Sequence, residues 1–248
     1  MTWRPDIEFL RHALIVVAGH RYYLLPLAAL LWLVFHFVRI MLDPGETVTG
    51  SGVQGQLIGV PLTALGVYFG MRIIAGEIDD RTLEIAYTVP GGCERLWFAK
   101  LAAALLLLVV TEILLAITVL IFFTPFPPGA LYGALQAAVF HMVLAMSLGA
   151  LFKSEASGAI VTLGILALEG LITDFGASQL RFHPFFNPYV LADVSASSGN
   201  VRSGGFTSPE ELLAWTIQNR IAMVLATAAI LALAFFRSNR REKMLDGM

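Results

Sequence analysis

The chain has 248 residues, of which 57% are hydrophobic and only 14% are charged. Soluble domains carry about a quarter charged residues, so this composition excludes an ordinary soluble domain and indicates a polytopic membrane protein. The net charge of −2 argues against a nucleic-acid partner, and Cys93, the single cysteine, excludes an intramolecular disulfide and a thiolate metal cluster.

The N-terminal segment, 1–20, predicts an amphipathic helix that lies in the membrane interface. Within 3–17, apolar residues recur at spacings of four and three, while charged residues take the other faces. A loose tail that happens to be patterned is the alternative. The short apolar patch "ALIVVAG" is not followed by a small-residue cleavage pattern. We therefore expect no cleaved signal and a chain that stays whole in the membrane.

Six stretches are apolar and long enough to approach the length of about 20 residues that a membrane-spanning helix needs. They are 22–42, 57–74, 100–123, 130–152, 158–173 and 220–236, of which the fifth is short. The turn sequences "DPGETVTGSG" and "TPFPPG" follow the first and third spans. No internal repeat and no separate soluble domain is evident. The sequence therefore predicts an all-α fold with one transmembrane domain over 1–248.

The distribution of Lys and Arg predicts the orientation. The loops 43–56 and 124–129 contain neither residue, whereas most basic residues collect at the opposite ends of the spans. The positive-inside rule then places both termini and segment 75–100 in the cytoplasm, and the chain in the cytoplasmic (inner) membrane.

The outer segment between the fifth and sixth spans contains the aromatic and proline-rich run "RFHPFFNPYVLADVS". We expect this segment to be re-entrant or interfacial. The sequence "SPEELLAW" predicts that the last helix begins outside the bilayer near Pro209, with Ser208 as its N-cap and Glu211 completing a capping box.

The most polar continuous stretch is "AGEIDDRTLEIAYTVPGGCERLWFAK", residues 75–100, which carries five acids and three bases. No Gly or Pro occurs between Glu77 and Val89, so the stretch predicts one cytoplasmic helix of about three turns that Pro90 ends. Acidic side chains are poor ligands for the anionic inner leaflet. A helix that docks on a protein partner is therefore favoured over a solvated connector.

The spacing of residues in this stretch resembles the cytoplasmic loop of ABC exporter permeases of the second type (ABC-2). The residues that carry the resemblance are Glu77, Thr82, Glu84, Pro90 and Lys100. The layout is similar as well: an amphipathic connecting helix, six spans, an outer segment before the last span, and a basic end of that span in "FFRSNRREKM". Arg81 departs from the pattern, because the family usually has Gly there.

The resemblance implies a transport subunit rather than an enzyme. A separate ABC ATPase subunit would dock on the cytoplasmic coupling helix, and the permease would pair with a second copy or a paralogue within the membrane lipid. ATP and Mg would bind the ATPase, since the sequence has no G-x-x-x-x-G-K-[ST] loop, and this chain would bind no cofactor. The residues that the resemblance assigns to ATPase coupling are Glu77, Asp80, Arg81, Thr82, Leu83, Glu84, Tyr87 and Pro90, with Leu83 or Tyr87 as the apolar anchor.

Ionisable residues within the predicted spans are candidates for a translocation path, because burying them in a bilayer is costly. Glu112 and His141 lie near the middle of the third and fourth spans and are expected to be neighbours facing the bundle interior. Glu169 is expected to pair with Arg39, with His36 one turn further in. These groups either line a polar path or outer gate, or hold helices together by pairing.

Two other functional classes remain open at this point. A secondary carrier or channel that is not driven by ATP favours inverted repeats and helices broken near the midplane. An intramembrane enzyme would use the buried Glu and His residues, and typically shows a paired motif such as H-E-x-x-H. Neither pattern is evident in the sequence, so both are weaker than the exporter hypothesis. The sequence does not indicate a cargo.

Overall fold

The computed structural model describes residues 7–42, 48–88, 92–173, 179–190, 209–240, 242 and 244. Helices dominate this part of the chain, and it contains no β-strand. In chain order they are α1 (Ile7–Ala18), α2 (Leu24–Leu42), α3 (Gly50–Ile73), α4 (Ala75–Asp79), α5 (Leu83–Thr88), α6 (Cys93–Phe122), α7 (Gly129–Phe152), α8 (Glu155–Ile172) and α9 (Pro209–Ser238).

Six of these helices are long and apolar enough to cross a membrane: α2, α3, α6, α7, α8 and α9. The predicted all-helical, polytopic membrane fold is therefore confirmed. Three spans begin earlier than predicted: α3 at Gly50 instead of 57, α6 at Cys93 instead of 100, and α8 at Glu155 instead of 158. Thr49 caps α3 by accepting a hydrogen bond from the Gly52 N–H at 3.3 Å. The positive φ of Gly92 (84°) turns the chain directly into α6.

The first part of α3 departs from regular α-helix. Gly50–Gly52 form one α-turn, Val53–Gly59 are π-helical, and the α-helix resumes over Val60–Ile73. The wider π-helical turn occurs where Gln54 is buried, and the Gln54 amide donates to the carbonyl of Phe186 at 3.0 Å. Such segments occur frequently at functional sites.

Helices α3 and α7 form the central pair of the bundle. Their backbones are so close that a Cβ atom at Gly66 or Gly70 would overlap the carbonyl groups of Ala138 or Met142. Helix α6 packs against α3 and α2, whereas α8 and α9 pack mainly against α7. Near its C-terminal end α9 also meets α6, where Phe235 stacks on Phe98.

Helix α1 lies within the predicted segment 1–20 and buries Ala13 and Val17 in its contact with α6. Its position in a membrane interface stays a prediction. Helix α9 begins at Pro209, as predicted, whereas Ser208, its expected N-cap, lies outside the described residues.

The single helix predicted over 77–89 is wrong. The structure has two short helices, α4 and α5, separated by a turn in which Arg81 takes the left-handed conformation with φ 59°. Sequence propensity favours a continuous helix there, but the side chain of Thr82 turns back to bond Glu77 and ends α4. We call residues Ala75–Thr88 the α4–α5 hairpin.

Candidate functional site

The α4–α5 hairpin is held by a buried cation. Lys100 in α6 is 1% exposed, and its ammonium group donates to the carbonyl of Ile73 at 3.3 Å and to the carboxylate of Glu77. The hydroxyl of Thr82 donates to the other oxygen of that carboxylate. The carboxylate of Glu77 therefore joins the turn of the hairpin to α6, and the ammonium group of Lys100 joins both to the end of α3. Paired in this way, the Lys100 charge is tolerated inside the protein.

The hairpin also contacts two further spans through hydrogen bonds. The carboxylate of Asp79 accepts from the backbone N–H of Glu155, the first residue of α8, at 2.9 Å. The hydroxyl of Tyr87 donates to the carbonyl of Ser238, the last residue of α9, at 2.5 Å. The hairpin is thus linked to the ends of α3, α6, α8 and α9.

The outer face of the hairpin is polar with one apolar side chain. Asp80, Arg81 and Glu84 are exposed, and Ile85 is 64% exposed. Leu83, one of the two side chains predicted as an apolar anchor for a partner, is fully buried in the core of this chain, whereas the other, Tyr87, is partly exposed. Tyr87 is half-buried and packs edge-on against Trp97. Pro90 lies outside the described residues.

The second polar centre lies within the membrane-spanning bundle, between α7 and α8. His141 is fully buried, and its Nε2 lies 3.1 Å from a carboxylate oxygen of Glu169. Its Nδ1 lies 2.8 Å from the carbonyl of Ala137. A carbonyl accepts only, so Nδ1 carries a hydrogen. The Nε2–Glu169 contact then needs a second proton, on either the imidazole or the carboxyl.

This pairing differs from both sequence predictions. Glu169 bonds His141 instead of Arg39, because α8 packs mainly against α7, whereas α2 packs mainly against α6. Glu112 and His141 both face the interior, as predicted, at 6% and 0% exposure. They are not paired, however, and Oε1 of Glu112 has no partner among the described residues. His36 is buried against Trp32, with ring centroids 4.9 Å apart.

Hydrogen bonds from buried side-chain amides hold the outer segment 179–190 against the bundle. The side chain of Asn219 in α9 donates to the carbonyls of Arg181 and His183, each at 2.9 Å. Its oxygen accepts from Gln136 in α7 at 3.2 Å. Asn187 donates in turn to the carbonyl of Ser51 at 2.9 Å. These bonds fix an irregular backbone against α3, α7 and α9.

A half-enclosed cavity of about 360 Å³ lies between the start of α3, the end of α8 and segment 179–190. The described side chains that line it include no charged group: Ser51, Gln56, Val60, Leu166, Thr173, Gln179, Leu180, His183, Phe185, Asn187 and Val190, together with Gly52, Gly55 and Gly170. Ligand pockets begin at about this volume.

His183 connects the cavity to the His141–Glu169 pair. Its Nδ1 accepts a hydrogen bond from the Phe185 N–H at 3.1 Å, and its buried Nε2 has no partner in the described part of the chain. Burial lowers the pKa of His183 from its ordinary value; Glu169 acts against this effect and His141 adds to it. The ring of Phe185 lies 5.1 Å from that of His141 and 6.0 Å from that of His183, measured between centroids.

Sequence reasoning missed this outer network. Its members on the spans are neutral amides, Gln54, Gln136 and Asn219, which do not stand out when only ionisable residues are examined. The signal that identifies them is an isolated amide within an apolar span, since such a group needs an interhelical partner. No group of three or more His, Cys, Asp or Glu side chains within the described residues is arranged to hold a metal ion.

Comparisons with protein-family models, with curated proteins and with solved structures gave no match to this chain.

Proposed function

We propose that this chain is the transmembrane subunit of an ATP-driven exporter of the ABC-2 type, with a separate ATPase subunit docked on the α4–α5 hairpin. One observation carries the proposal. The hairpin presents an exposed face with Asp80, Arg81, Glu84 and Ile85, while hydrogen bonds link it to the ends of four spans. A partner that moves this face moves those span ends with it.

The residues that the resemblance assigns to coupling then divide into two roles. Glu77 and Thr82 transmit force within the chain, because their side chains bond each other and the carboxylate also bonds Lys100. Asp80 and Glu84 are the exposed acids that suit basic or amide groups of a partner. Ile85, instead of Leu83, is the apolar contact.

The left-handed conformation of Arg81 supports the resemblance at the position where the sequence departs from it. A residue with φ 59° is the kind for which Gly is the usual choice. The family usually has Gly at this position. The same turn is therefore compatible with either Gly or Arg at this position. Arg81 adds backbone strain but does not change the conformation of the turn.

Charge supports the orientation of the proposed complex. Arg72, Lys153 and Arg237 lie with the hairpin at one end of the bundle, close to its contacts with α8 and α9. By the positive-inside rule this end faces the cytoplasm, where the ATPase, ATP and Mg are present. The subunit would pair with a second copy or paralogue, so that two hairpins meet two ATPase subunits.

The proposal is tested with charge reversal at the docking face. Glu84→Lys is expected to abolish co-purification of the ATPase and transport-coupled ATP hydrolysis, because it places a cation where the partner offers basic or amide groups. Glu210→Lys is the matched control, since Glu210 is also an exposed acid but lies at the start of α9, at the opposite end. Both variants should insert and fold normally. Normal coupling in Glu84→Lys would refute the docking face.

A second measurement tests the apolar contact independently. Ile85→Ala removes an exposed side chain and costs little folding stability, but it should weaken ATPase binding. Leu213→Ala, at a residue that is 60% exposed near the start of α9, is the control. If neither Ile85→Ala nor Glu84→Lys changes ATPase binding, the hairpin is a connector and the exporter proposal loses its main support.

A secondary carrier driven by protons is the second candidate, and the His141–Glu169 pair favours it. The pair places an acid and a histidine in contact within an apolar bundle, and such an intramembrane pair is typical of proton relays. The two candidates separate in sealed vesicles that contain the chain. Transport that requires ATP and the ATPase subunit supports the exporter, whereas transport driven by a pH gradient alone supports the carrier.

A further inference from the structure

We propose that the outer cavity binds an uncharged amphiphile, a molecule with a hydrocarbon body and one oxygen that accepts a hydrogen bond. This goes beyond the coupling role and does not depend on it, because the cavity lies at the end of the bundle opposite the α4–α5 hairpin. Four features of the cavity support this: its size, the absence of charged side chains among its described lining residues, its internally satisfied polar groups and its unpartnered donor.

The volume of the cavity limits the size of the ligand. The cavity volume is about 360 Å³, and a water molecule occupies about 30 Å³ in the liquid. The space therefore fits about a dozen non-hydrogen atoms. It lies between a π-helical turn, a helix end and an irregular segment, elements that do not pack as regular ridges and grooves.

The walls favour an uncharged ligand. Val60, Leu166, Leu180, Phe185 and Val190 supply apolar surface, and the described lining residues contribute no charged side chain. A charged ligand would lose its hydration without gaining an opposite charge, which is costly in an apolar site.

Most polar groups of the lining already bond each other. The side-chain oxygen of Gln179 accepts from the backbone of Asn187 at 2.9 Å, Asn187 itself donates to Ser51, and the hydroxyl of Thr173 donates to the carbonyl of Glu169 at 2.8 Å. These bonds stabilise the shape of the cavity and leave those groups less available to a ligand.

His183 supplies the donor. Its Nδ1 accepts from the Phe185 N–H, so the neutral imidazole carries its hydrogen on Nε2, and this buried N–H has no partner in the described part of the chain. Leaving a buried donor unpaired is costly. Nε2 is enclosed by its surroundings, so a ligand oxygen accepts from its N–H only when the imidazole turns toward the cavity. That bond removes the cost, and this makes an alcohol, ether or carbonyl compound the chemical class that the site takes.

The test uses an eight-carbon alcohol that carries a photoreactive diazirine, applied to the purified chain in nanodiscs without an ATPase. Illumination should attach the probe to the cavity lining in segment 179–190, the start of α3 or the end of α8, as located by mass spectrometry. Octanol should compete, whereas octylammonium and octanoate at the same concentration should not. Labelling confined to exposed outer faces of the spans, or equal competition by the charged compounds, would overturn the proposal.

Two glycines provide a matched pair of variants. A Cβ atom at Gly55 in the cavity wall meets nothing within 4 Å, and the same holds for Gly164 in α8, which does not line the cavity. Gly55→Leu fills the cavity and should lose most of the labelling, whereas Gly164→Leu should keep it. Full labelling of folded Gly55→Leu would overturn the proposal, and the wild-type competition above decides it if that variant does not fold.

The pH dependence of the labelling tests whether His183 is the hydrogen-bond donor. His183 faces Glu169 from α8 and His141 from α7. Because its pKa lies below the ordinary value of 6.5, His183 is neutral at pH 7 and its Nε2–H is available. Labelling should be constant above pH 6.5 and fall at lower pH, as protonation brings a charge into the cavity and breaks the Phe185 bond. His183→Gln, which keeps a donor but does not titrate, should remove this dependence; an unchanged dependence would refute the assignment of His183.

The ligand has two sources that share this chemistry, a soluble molecule and an uncharged membrane lipid. Octanol added to the buffer and diacylglycerol built into the nanodisc are compared as competitors of the probe. Displacement by either supports the site and identifies the source, whereas displacement by neither overturns it. ATPase binding should be unchanged in Gly55→Leu, so failure of this inference and failure of the exporter proposal are distinguishable.

Discussion

Glu112 and Glu169 are both acids within apolar spans, but their surroundings differ. Glu169 has a partner in His141, whose Nε2 lies 3.1 Å from a carboxylate oxygen. Glu112 is 6% exposed, and its Oε1 has no partner in the described part of the chain. A buried pair stabilises its helices, whereas a buried polar atom without a partner costs stability. A buried acid that lacks a hydrogen-bond partner within an apolar span is a candidate for function.

Replacement of Glu112 by Met tests this difference. Met has a similar length and no group that needs a hydrogen bond, so we expect the free energy of unfolding in detergent to rise by roughly 1–3 kcal/mol. If Glu112 lines a translocation path, as the exporter proposal has it, transport should fall as well. Thr111→Val is the control: Thr111 is equally buried, but its hydroxyl donates to the Leu107 carbonyl at 2.7 Å, so no gain is expected there. A loss of stability in Glu112→Met would show a structural role instead.

At the scale of elements, the α4–α5 hairpin illustrates how a few side chains override helix propensity. The sequence from Glu77 to Thr88 contains no residue that breaks a helix. The turn forms because Lys100 holds Glu77 and Glu77 holds Thr82, which places Arg81 in the left-handed region. The ion pair between Glu77 and Lys100 offsets the backbone strain at Arg81.

Glycine at position 81 should relieve this strain. Because a left-handed conformation costs an L-residue roughly 1–2 kcal/mol, Arg81→Gly is expected to raise the unfolding free energy by about 1 kcal/mol. Arg81→Ala also removes the arginine side chain but keeps the backbone strain. Comparing the two variants therefore separates the relief of strain from the loss of the side chain. The measurement is thermal or denaturant unfolding in detergent. Equal stabilities of the Gly and Ala variants would contradict the strained turn.

At the scale of the whole molecule, the bundle has two chemically different ends. One carries the α4–α5 hairpin and several basic residues, and the other carries segment 179–190 and its amide network. Helices α3 and α7 run between these ends as the central pair. The two proposals concern opposite ends, with ATPase coupling at the basic end and ligand binding at the other.

The orientation of these ends is measured with single cysteines. In a Cys93→Ser background, Glu210→Cys should react with a membrane-impermeant thiol reagent in intact cells, because Glu210 is exposed at the proposed outer end. Glu84→Cys should react only after the membrane is permeabilised. The wild-type chain is the control, since Cys93 is 7% exposed and should react little. The reverse labelling pattern would invert the proposed orientation.

Much of the fold follows from local sequence. Apolar runs identified six spans because a bilayer requires long apolar helices with internally satisfied backbones, whatever their neighbours. The start of α9 at Pro209 was also predictable, since helix-start signals lie within a few residues of one another. The starts of α3 and α6 were not predicted. The glycine-rich and charged residues there favour turns by their composition, and they form helix only because of the packing around them.

The sequence by itself determined that this is an all-helical membrane protein with a polar element between its second and third spans, because those properties depend on composition and short-range periodicity. The tertiary structure alone decided the partners of the buried groups: Glu169 with His141 instead of Arg39, and Lys100 with Glu77 across the break in the hairpin. It also created the cavity beside His183, which lies between segments far apart in the chain. Pairing and enclosure depend on which helix faces pack together, and that choice is made by the packing of the whole bundle.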